Sequence, residues 1–366
     1  LGGERVPVGI NHGDTANLVA TSIAAAISAG ADLPVTASVS DNVVTVTARH
    51  KGEVFNGYDL RASYYNEQLP AGLSLSFASL SGGSGNPDIQ DTLDMLGDTW
   101  FNWGINPYTD TANLVTLEAE LLDRWGPMRQ IGCRMFSAIA GSHGTATTFG
   151  SSRNSHLISC LGLGASPTPA FIAAAINGAV AAGSLSIDPA RPLQELRLPG
   201  LLAPISSEQW IRQERNLALY DGISTYTVER DGTCRIDRQI TMYQTNASGY
   251  GDASYLDITT PETLERIRFE QLAMRAQKFP RHKLADDGTN FGEGQAIVTP
   301  KVWRGELLAL YKFMETTRGW VEDYKTYEKS LLVERPTYDR NRLNWRDNPN
   351  LVNGAIVLAG QNQFIV

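Results

Sequence analysis

Short apolar segments alternate with helix-like segments through the middle of this 366-residue chain. Strand-like and helical patterns follow one another at 100–105, 111–125, 130–136, 145–154, 156–161 and 169–183. A helical pattern at 208–220 and a strand-like segment at 223–228 close the series. Strands that alternate with helices indicate βαβ units and a parallel sheet covered on both faces. We therefore predict a parallel α/β core domain over residues 87–236.

The segment before this domain has a different pattern. A helical stretch at 14–30 begins at a Ser/Thr/Asp-type cap and is followed by a hairpin pattern at 35–47 around Asp41-Asn42. Further β-rich runs lie at 58–64 and 73–80, and the Gly/Ser-rich linker 81–87 ends the segment. Residues 1–83 are predicted to be a small β-rich α+β module, truncated at its N-terminus.

The segment after the core domain is predicted to be an α+β C-terminal domain over residues 237–366. Strand patterns at 238–243 and 254–258 precede two long amphipathic helices at 261–278 and 299–317. The charged segment 320–334 is compatible with a helix or a strand. The chain then ends in the apolar, strand-prone segment 354–366, with nothing after it to cover it.

Composition excludes several classes of protein. The net charge is −8 and no dense Lys/Arg block occurs, so neither nucleic acid nor an anionic membrane is an expected partner. The longest apolar stretch, 171–182, is interrupted by Asn177 and Gly178, and we expect no transmembrane helix. Three widely spaced cysteines fit a chain matured in a reducing cytoplasm and kept free of disulfides: Cys133, Cys160 and Cys234.

One motif suggests enzymatic chemistry. His143 lies in a Gly-Ser-His-Gly-Thr segment of the kind that holds the base of subtilisin-like proteases, and Asp110-Thr111 precedes it in the right order. Such a hydrolase needs a serine within hydrogen-bond reach of the histidine. Ser166 is a poor candidate, because Pro167 interrupts the turn that would present it. We therefore expect no catalytic residues. A subtilisin-like serine hydrolase is kept as an alternative hypothesis.

Other ligand sites are equally weakly supported. The five histidines are isolated and no phosphate-binding glycine loop occurs, so we predict neither a metal site nor a cofactor. Trp100, Trp103 and Tyr108 cluster after the linker and suggest a host- or carbohydrate-binding tail module as a further alternative. Aromatic residues at strand spacing more often belong to a core.

Several segments together resemble the contractile phage tail sheath proteins, in particular the branch like that of phage Mu. The most specific match is 353–365, which follows the helix at 302–311 and the segment 319–323. The helix within 14–27 and the hairpin strand 43–47 give a second match. The resemblance spans nearly the whole chain. It implies a subtilisin-like topology for the core domain, without catalysis.

The resemblance also implies a mechanical role and a set of partners. Such subunits polymerise as helical rings around a tail tube, contact neighbouring sheath subunits and baseplate proteins, and contract by rigid-body rearrangement. The terminal segment would add a strand to a neighbour's sheet through Ile356, Val357, Leu358, Gln361, Phe364, Ile365 and Val366. We expect the tube to be faced by Arg304, Lys312, Lys325 and Lys329.

The resemblance finally gives a location and an expectation about assembly. Sheath proteins are part of the virion tail and are assembled in the cytoplasm of the host bacterium. The sequence opens at Leu1 without an initiating methionine. We expect a chain that begins here to lack the N-terminal arm of the family and to stay monomeric or weakly associated.

Overall fold

The computed structural model describes residues 1–64, 67–357 and 359–360. They form two compact units, of which unit 1 comprises Leu1–Ala182 and Gln194–Leu256, and unit 2 comprises Gly183–Leu193 and Asp257–Val366. Helices and strands occur in both units, so the mixed α/β class expected from the sequence is confirmed. The division into three domains, with boundaries near 83–87 and 236, is finer than these units and stays a prediction.

Unit 1 begins with a helix and a hairpin. Helix α1, Ala16–Ala29, starts at Thr15, whose hydroxyl accepts a hydrogen bond from the Leu18 amide. Strands β1, Val35–Ser40, and β2, Val43–Ala48, pair antiparallel. The apolar side of this hairpin packs on the helix around Ile27, Val35 and Tyr58.

The β-rich runs predicted at 58–64 and 73–80 are not strands in the described residues. That part of the prediction is wrong, and the N-terminal module contains less strand than expected. Leu73 and Leu75 are half-buried while Ser74 and Ser76 are exposed, so the alternation in the sequence does reflect one-sided burial. A strand also needs a hydrogen-bonded neighbour, and residue alternation alone cannot supply one.

The centre of unit 1 is a five-stranded sheet whose strands follow the order of the sequence. Its first four strands are parallel, and the fifth pairs antiparallel with the fourth. They are β3 Trp103–Ile105, β4 Arg134–Ala140, β5 Ile158–Gly164, β6 Ile223–Val228 and β7 Cys234–Arg238. The predicted parallel α/β arrangement is confirmed. The strands predicted at 238–243 and 254–258 are absent apart from the end of β7, and these segments are loops.

Helices connect and cover this sheet: α2 Gln90–Leu96, α3 Thr111–Trp125, α4 His143–Ser151, α5 Ala170–Ile187 and α6 Arg212–Tyr220. The α3 helix buries Leu114, Leu117 and Leu121, which join β5 residues in one apolar core. Asp110 caps the start of α3 by accepting a hydrogen bond from the Asn113 amide.

The α5 helix is longer than the sequence suggested. Its 18 residues have a mean hydropathy of 1.7, and it is the one helix in the described residues that is long and apolar enough to cross a membrane by length and composition. The apolar helical segment is thus longer than the stretch 171–182 seen in the sequence and continues through Asn177 and Gly178, and the absence of a transmembrane helix stays a prediction. A Cβ on Gly178 would collide with Ile105 Cδ1 and lie 3.2 Å from Phe136 Cβ, so this helix packs closely on the parallel sheet.

Unit 2 is built around helices α7 Thr259–Lys278, α8 Pro300–Phe313 and α9 Tyr324–Ser330. The predictions at 261–278 and 299–317 are confirmed as α7 and α8, the latter ending in a π-helical turn, Met314–Arg318. In the described residues of this unit there are three two-stranded ladders: parallel β8 Lys283–Leu284 with β9 Ile297–Val298, antiparallel β11 Leu332–Glu334 with β12 Asn344–Arg346, and antiparallel β10 Val321–Glu322 with β13 Asn350–Leu351.

Candidate subunit interface

The C-terminal segment leaves its own sheet after two residues of pairing. Strand β13 pairs with β10, and the Val352 amide donates one more hydrogen bond to Trp320 O at 3.0 Å. No strand is assigned in the described residues beyond this point. Ile356 is half-buried, and the Val357 side chain is 76% exposed. The other residues predicted to form the shared strand lie outside the described residues: Leu358, Gln361, Phe364, Ile365 and Val366.

Tyr311 contacts both strands of the ladder from which this segment continues. Its hydroxyl donates a hydrogen bond to Glu322 O at 2.6 Å and accepts one from the Asn350 amide at 3.3 Å. One side chain of α8 therefore joins both strands of the β10–β13 ladder. Burial raises the pKa of Tyr311, so it stays protonated and able to donate near neutral pH.

Tyr327 packs against the Tyr311 ring and limits its movement. The rings of Tyr311 and Tyr327 stack with centroids 3.7 Å apart and planes 13° apart. The Tyr327 hydroxyl binds Asp347 Oδ2 at 3.2 Å, which also accepts a hydrogen bond from Gln271 at 2.7 Å. Helices α7, α8 and α9 are thus tied to the segment that precedes β13. Neither tyrosine was singled out in the sequence, because their pairing depends on two helices meeting.

The four cations predicted to face the tube have different surroundings. Arg304 donates to Glu328 O and is half-buried, and Lys312 Nζ lies 2.6 Å from Glu315 Oε2. Lys325 and Lys329 on α9 are exposed, and neither forms an ion pair within the part of the chain that the structure describes. Asp323 lies close to both, and a hydrogen bond from Thr326, with a smaller contribution from these lysines, lowers its pKa. That these four residues face a tube stays a prediction.

The residues of the hydrolase alternative are each held by other groups. His143 Nε2 lies 2.8 Å from Glu214 O, and its ring meets Trp210 edge-on at 5.3 Å. Ser166 Oγ donates to Leu202 O at 2.7 Å. Asp110 caps α3 and accepts hydrogen bonds from Asn86 and Asn113. These contacts stabilise loops and a helix end, and none of them links the serine to the histidine.

The aromatic residues of the third hypothesis differ in exposure, and only Trp100 among the three, at 36%, is exposed. The Trp100 indole donates to Gly132 O at 3.1 Å, and Trp103 and Tyr108 are half-buried. In the described residues, no group of three or more His, Cys, Asp or Glu side chains could hold a metal ion. The three cysteines are buried, and burial raises the pKa of the Cys160 thiol and that of Cys234, the latter to about 12.

Comparison with known proteins places the chain in a family. Residues 82–242 match the phage tail sheath protein central domain, and residues 251–365 match the phage tail sheath C-terminal domain. The chain is also 44% identical to the Mu-like prophage FluMu tail sheath protein of Haemophilus influenzae, over all of this chain and 75% of that protein. The chain belongs to the phage tail sheath protein family. It is accordingly a structural sheath subunit and not an enzyme.

Two solved structures of sheath tail proteins resemble the chain. The protein from Listeria innocua has a TM-score of 0.49 at 12% identity, covering 88% of this chain and 74% of that one. The protein from Desulfitobacterium hafniense has a TM-score of 0.46 at 14% identity, covering 87% of this chain and 73% of that one. In this sheath protein the two family domains meet between residues 242 and 251, within a loop of unit 1 that precedes α7.

Proposed function

We propose that this sheath subunit polymerises as helical rings around a tail tube and is joined to its neighbours by its C-terminal segment. The proposal is carried by one observation: within the described residues the ladder of the terminal segment ends at Leu351, although the sequence beyond it continues to favour a strand. An unpaired strand offers a full row of backbone donors and acceptors. A neighbouring copy with an open sheet edge would satisfy them, and side chains on alternate positions would set the register.

The contacts at the start of the segment support this role. Tyr311 and the β10–β13 ladder fix the chain as far as Leu351. A Cβ on Gly354 would lie 2.6 Å from Pro192 Cγ, so the backbone is also packed closely at this position. An arm that is firmly attached at its base and apolar at its tip can join two subunits without loosening either.

Deletion of residues 353–366 from the intact protein tests the proposal. We expect the shortened protein to fold normally but to lose polymerisation, because the ladder and the tyrosine contacts that precede the deletion are kept. Sedimentation and negative-stain electron microscopy would measure polymer, and circular dichroism would monitor folding. Ser248→Ala, in an exposed turn of unit 1, is the control and should polymerise like the parent. Normal tubes from the shortened protein would refute the shared-strand role.

We also propose that α9 turns toward the tube. Lys325 and Lys329 support this best, since their charges are exposed and are not consumed by ion pairs in the described residues. Arg304 and Lys312 would contribute less to the attraction, because both already have partners within the subunit. An acidic tube surface would attract the two free lysines, and that attraction would weaken as salt is raised.

The remaining parts of the proposal concern movement and place. A parallel sheet covered by helices suits a body that moves as a unit, so we propose that contraction repacks interfaces between subunits and leaves each core intact. The sequential parallel order of β3 to β6 is compatible with a subtilisin-like topology. We propose baseplate proteins as the partners at the end of the sheath, and the cytoplasm of the host bacterium as the place of assembly of the virion tail.

A further inference from the structure

Helix α3 exposes a second apolar face opposite to the one that it buries. Leu114, Leu117 and Leu121 point into the core of unit 1. Val115 and Leu122, on the other side, are 54% and 52% exposed. Exposed aliphatic side chains are common singly, but two of them on one helix face, seven residues apart, form a continuous stripe. Nothing in the described residues covers it. The stripe also contains Ala112 and Ala119 and ends at Asp123, all exposed.

Helix α8 exposes a comparable face in unit 2. Trp303, Leu307 and Tyr311 are buried, whereas Val302 and Phe313 on the other side are 44% and 41% exposed. The same face carries exposed small and basic residues: Lys301, Gly305, Ala309 and Lys312. Lys301 Nζ forms no ion pair within the described ranges. The face is therefore apolar along its length and basic at both ends.

Gly305 gives this face a distinguishing feature. It lies in the middle of α8, where glycine costs about 1 kcal/mol relative to alanine. A Cβ built on it would meet nothing within 4 Å in the subunit. Nothing in the described residues therefore requires glycine at this position. A close approach from outside the subunit would require it, because the absence of a side chain lets two helix backbones come together.

The charges of the two units are matched to such a contact. Unit 2 has 17 Lys and Arg against 16 Asp and Glu, so the other 14 Lys and Arg and 23 Asp and Glu belong to unit 1. Unit 1 thus carries a net charge of −9 and unit 2 a net charge of +1. The acidic unit 1 of one copy is therefore attracted more to the exposed lysines of the α8 face, Lys301 and Lys312, than to the unit 1 of another copy.

From these observations we propose that α3 of one copy packs antiparallel on α8 of a second copy; the inference rests on the proposed polymeric function. Placing Ala119 over Gly305 in antiparallel register brings Asp123 beside Lys301, since both lie four residues away. The same register places Val115 over the small Ala309 and brings the two exposed aliphatic side chains Leu122 and Val302 side by side. The contact joins two different surfaces of the subunit. Each copy therefore keeps one free surface for a further copy, and repetition of the contact builds a ring or a helical filament.

Cysteine cross-linking of the intact protein tests the contact. Ala119→Cys and Gly305→Cys proteins are mixed, allowed to polymerise, oxidised mildly and run on a non-reducing gel. The native cysteines are buried and stay silent. We expect covalent dimers in the mixture and none from either protein alone. A single chain with both substitutions should give a ladder of oligomers, because each copy then has two different bonding sites.

The outcomes separate the contact from the polymeric role. Gln213→Cys, exposed on α6, replaces Ala119→Cys in a control mixture and should give no dimer. Polymer that sediments normally without the 119–305 dimer would overturn the helix contact and leave the sheath role standing. Equal cross-linking in the Gln213 control would also overturn it. Failure to polymerise even in the parent protein would overturn both.

A charge exchange provides a second measurement. Asp123→Lys should reduce polymer, and combining it with Lys301→Glu in the same chain should restore it, since the pair is kept with its signs reversed. Arg129 loses one partner in the first variant but keeps Glu120 and Asp98, so folding should be unchanged by circular dichroism. No recovery in the double variant would count against the proposed register.

Discussion

The two units of this sheath protein hold their strands together in different ways. Unit 1 has one continuous five-stranded sheet, in which β4 and β5 are buried along most of their length. Unit 2 has three separate ladders of two or three residues each, attached to a helical core by side chains such as Tyr311. The first unit therefore depends on packing of a sheet, and the second on a few polar contacts to aromatic residues.

The largest expected effect comes from opening the sheet core of unit 1. Phe136 on β4 is fully buried, and Phe136→Ala should lower the free energy of unfolding by about 3–5 kcal/mol. Urea denaturation followed by tryptophan fluorescence would measure it. The exposed Val115→Ala is a suitable control, with an expected change within about 0.5 kcal/mol. A loss below about 1 kcal/mol for Phe136→Ala would mean that the sheet is not the main support of unit 1.

An intermediate effect should appear as pH falls, and it should come from unit 1. His156 lies among Trp125, Tyr243 and Tyr255, and burial, helped by the charge of Arg134, lowers its pKa to about 4. In the unfolded chain the same group takes up a proton near pH 6.5. The unfolded state therefore binds more protons between these values, and stability should fall by at most about 2 kcal/mol from pH 6.5 to 5.

The urea midpoint measured across this pH range would check the sign. His156→Phe should flatten the curve, since no group would remain there to titrate. A midpoint that rises toward pH 5 in the parent, or an unchanged slope in the variant, would contradict the assignment of this pH dependence to His156.

The smallest expected effect tests whether the Tyr311 hydroxyl supports the β10–β13 ladder of unit 2. Tyr311→Phe keeps the stacked ring but removes the hydroxyl that joins Glu322 O and the Asn350 amide. The loss should be about 1–2 kcal/mol, and hydrogen exchange at Val352 should accelerate more than exchange in β5. Tyr324→Phe, on the same helical core, is the matched control. Equal exchange in both variants would show that the ladder holds without Tyr311.

Sequence patterns located the elements that carry their own local signals. Residues 111–125 and 223–228 were predicted with the bounds that α3 and β6 have, because a cap residue or a turn marks their ends. The segment 73–80 has the alternation of a strand but no partner to pair with. Pairing is a property of two distant segments, and a single segment does not specify it.

The candidate interface also has one part that the sequence predicts and one part that it does not. The apolar character of the terminal segment was readable from residues 353–366 alone. Its anchor was not, since Tyr311, Tyr327 and Asp347 meet only when three parts of unit 2 fold together. The exposed face of α8 could have been found from Gly305, because a glycine in the middle of an amphipathic helix is a departure from helix propensity.

The short β10–β13 ladder has a mechanical consequence. If the C-terminal segment is shared between copies as proposed, tension on it would reach the body of the subunit through β13 and its two-residue ladder with β10. The Tyr311 hydroxyl forms hydrogen bonds to both strands and would transfer part of that load to α8. Because Tyr311 lies on α8, part of a load on β13 would pass into the helical core of unit 2.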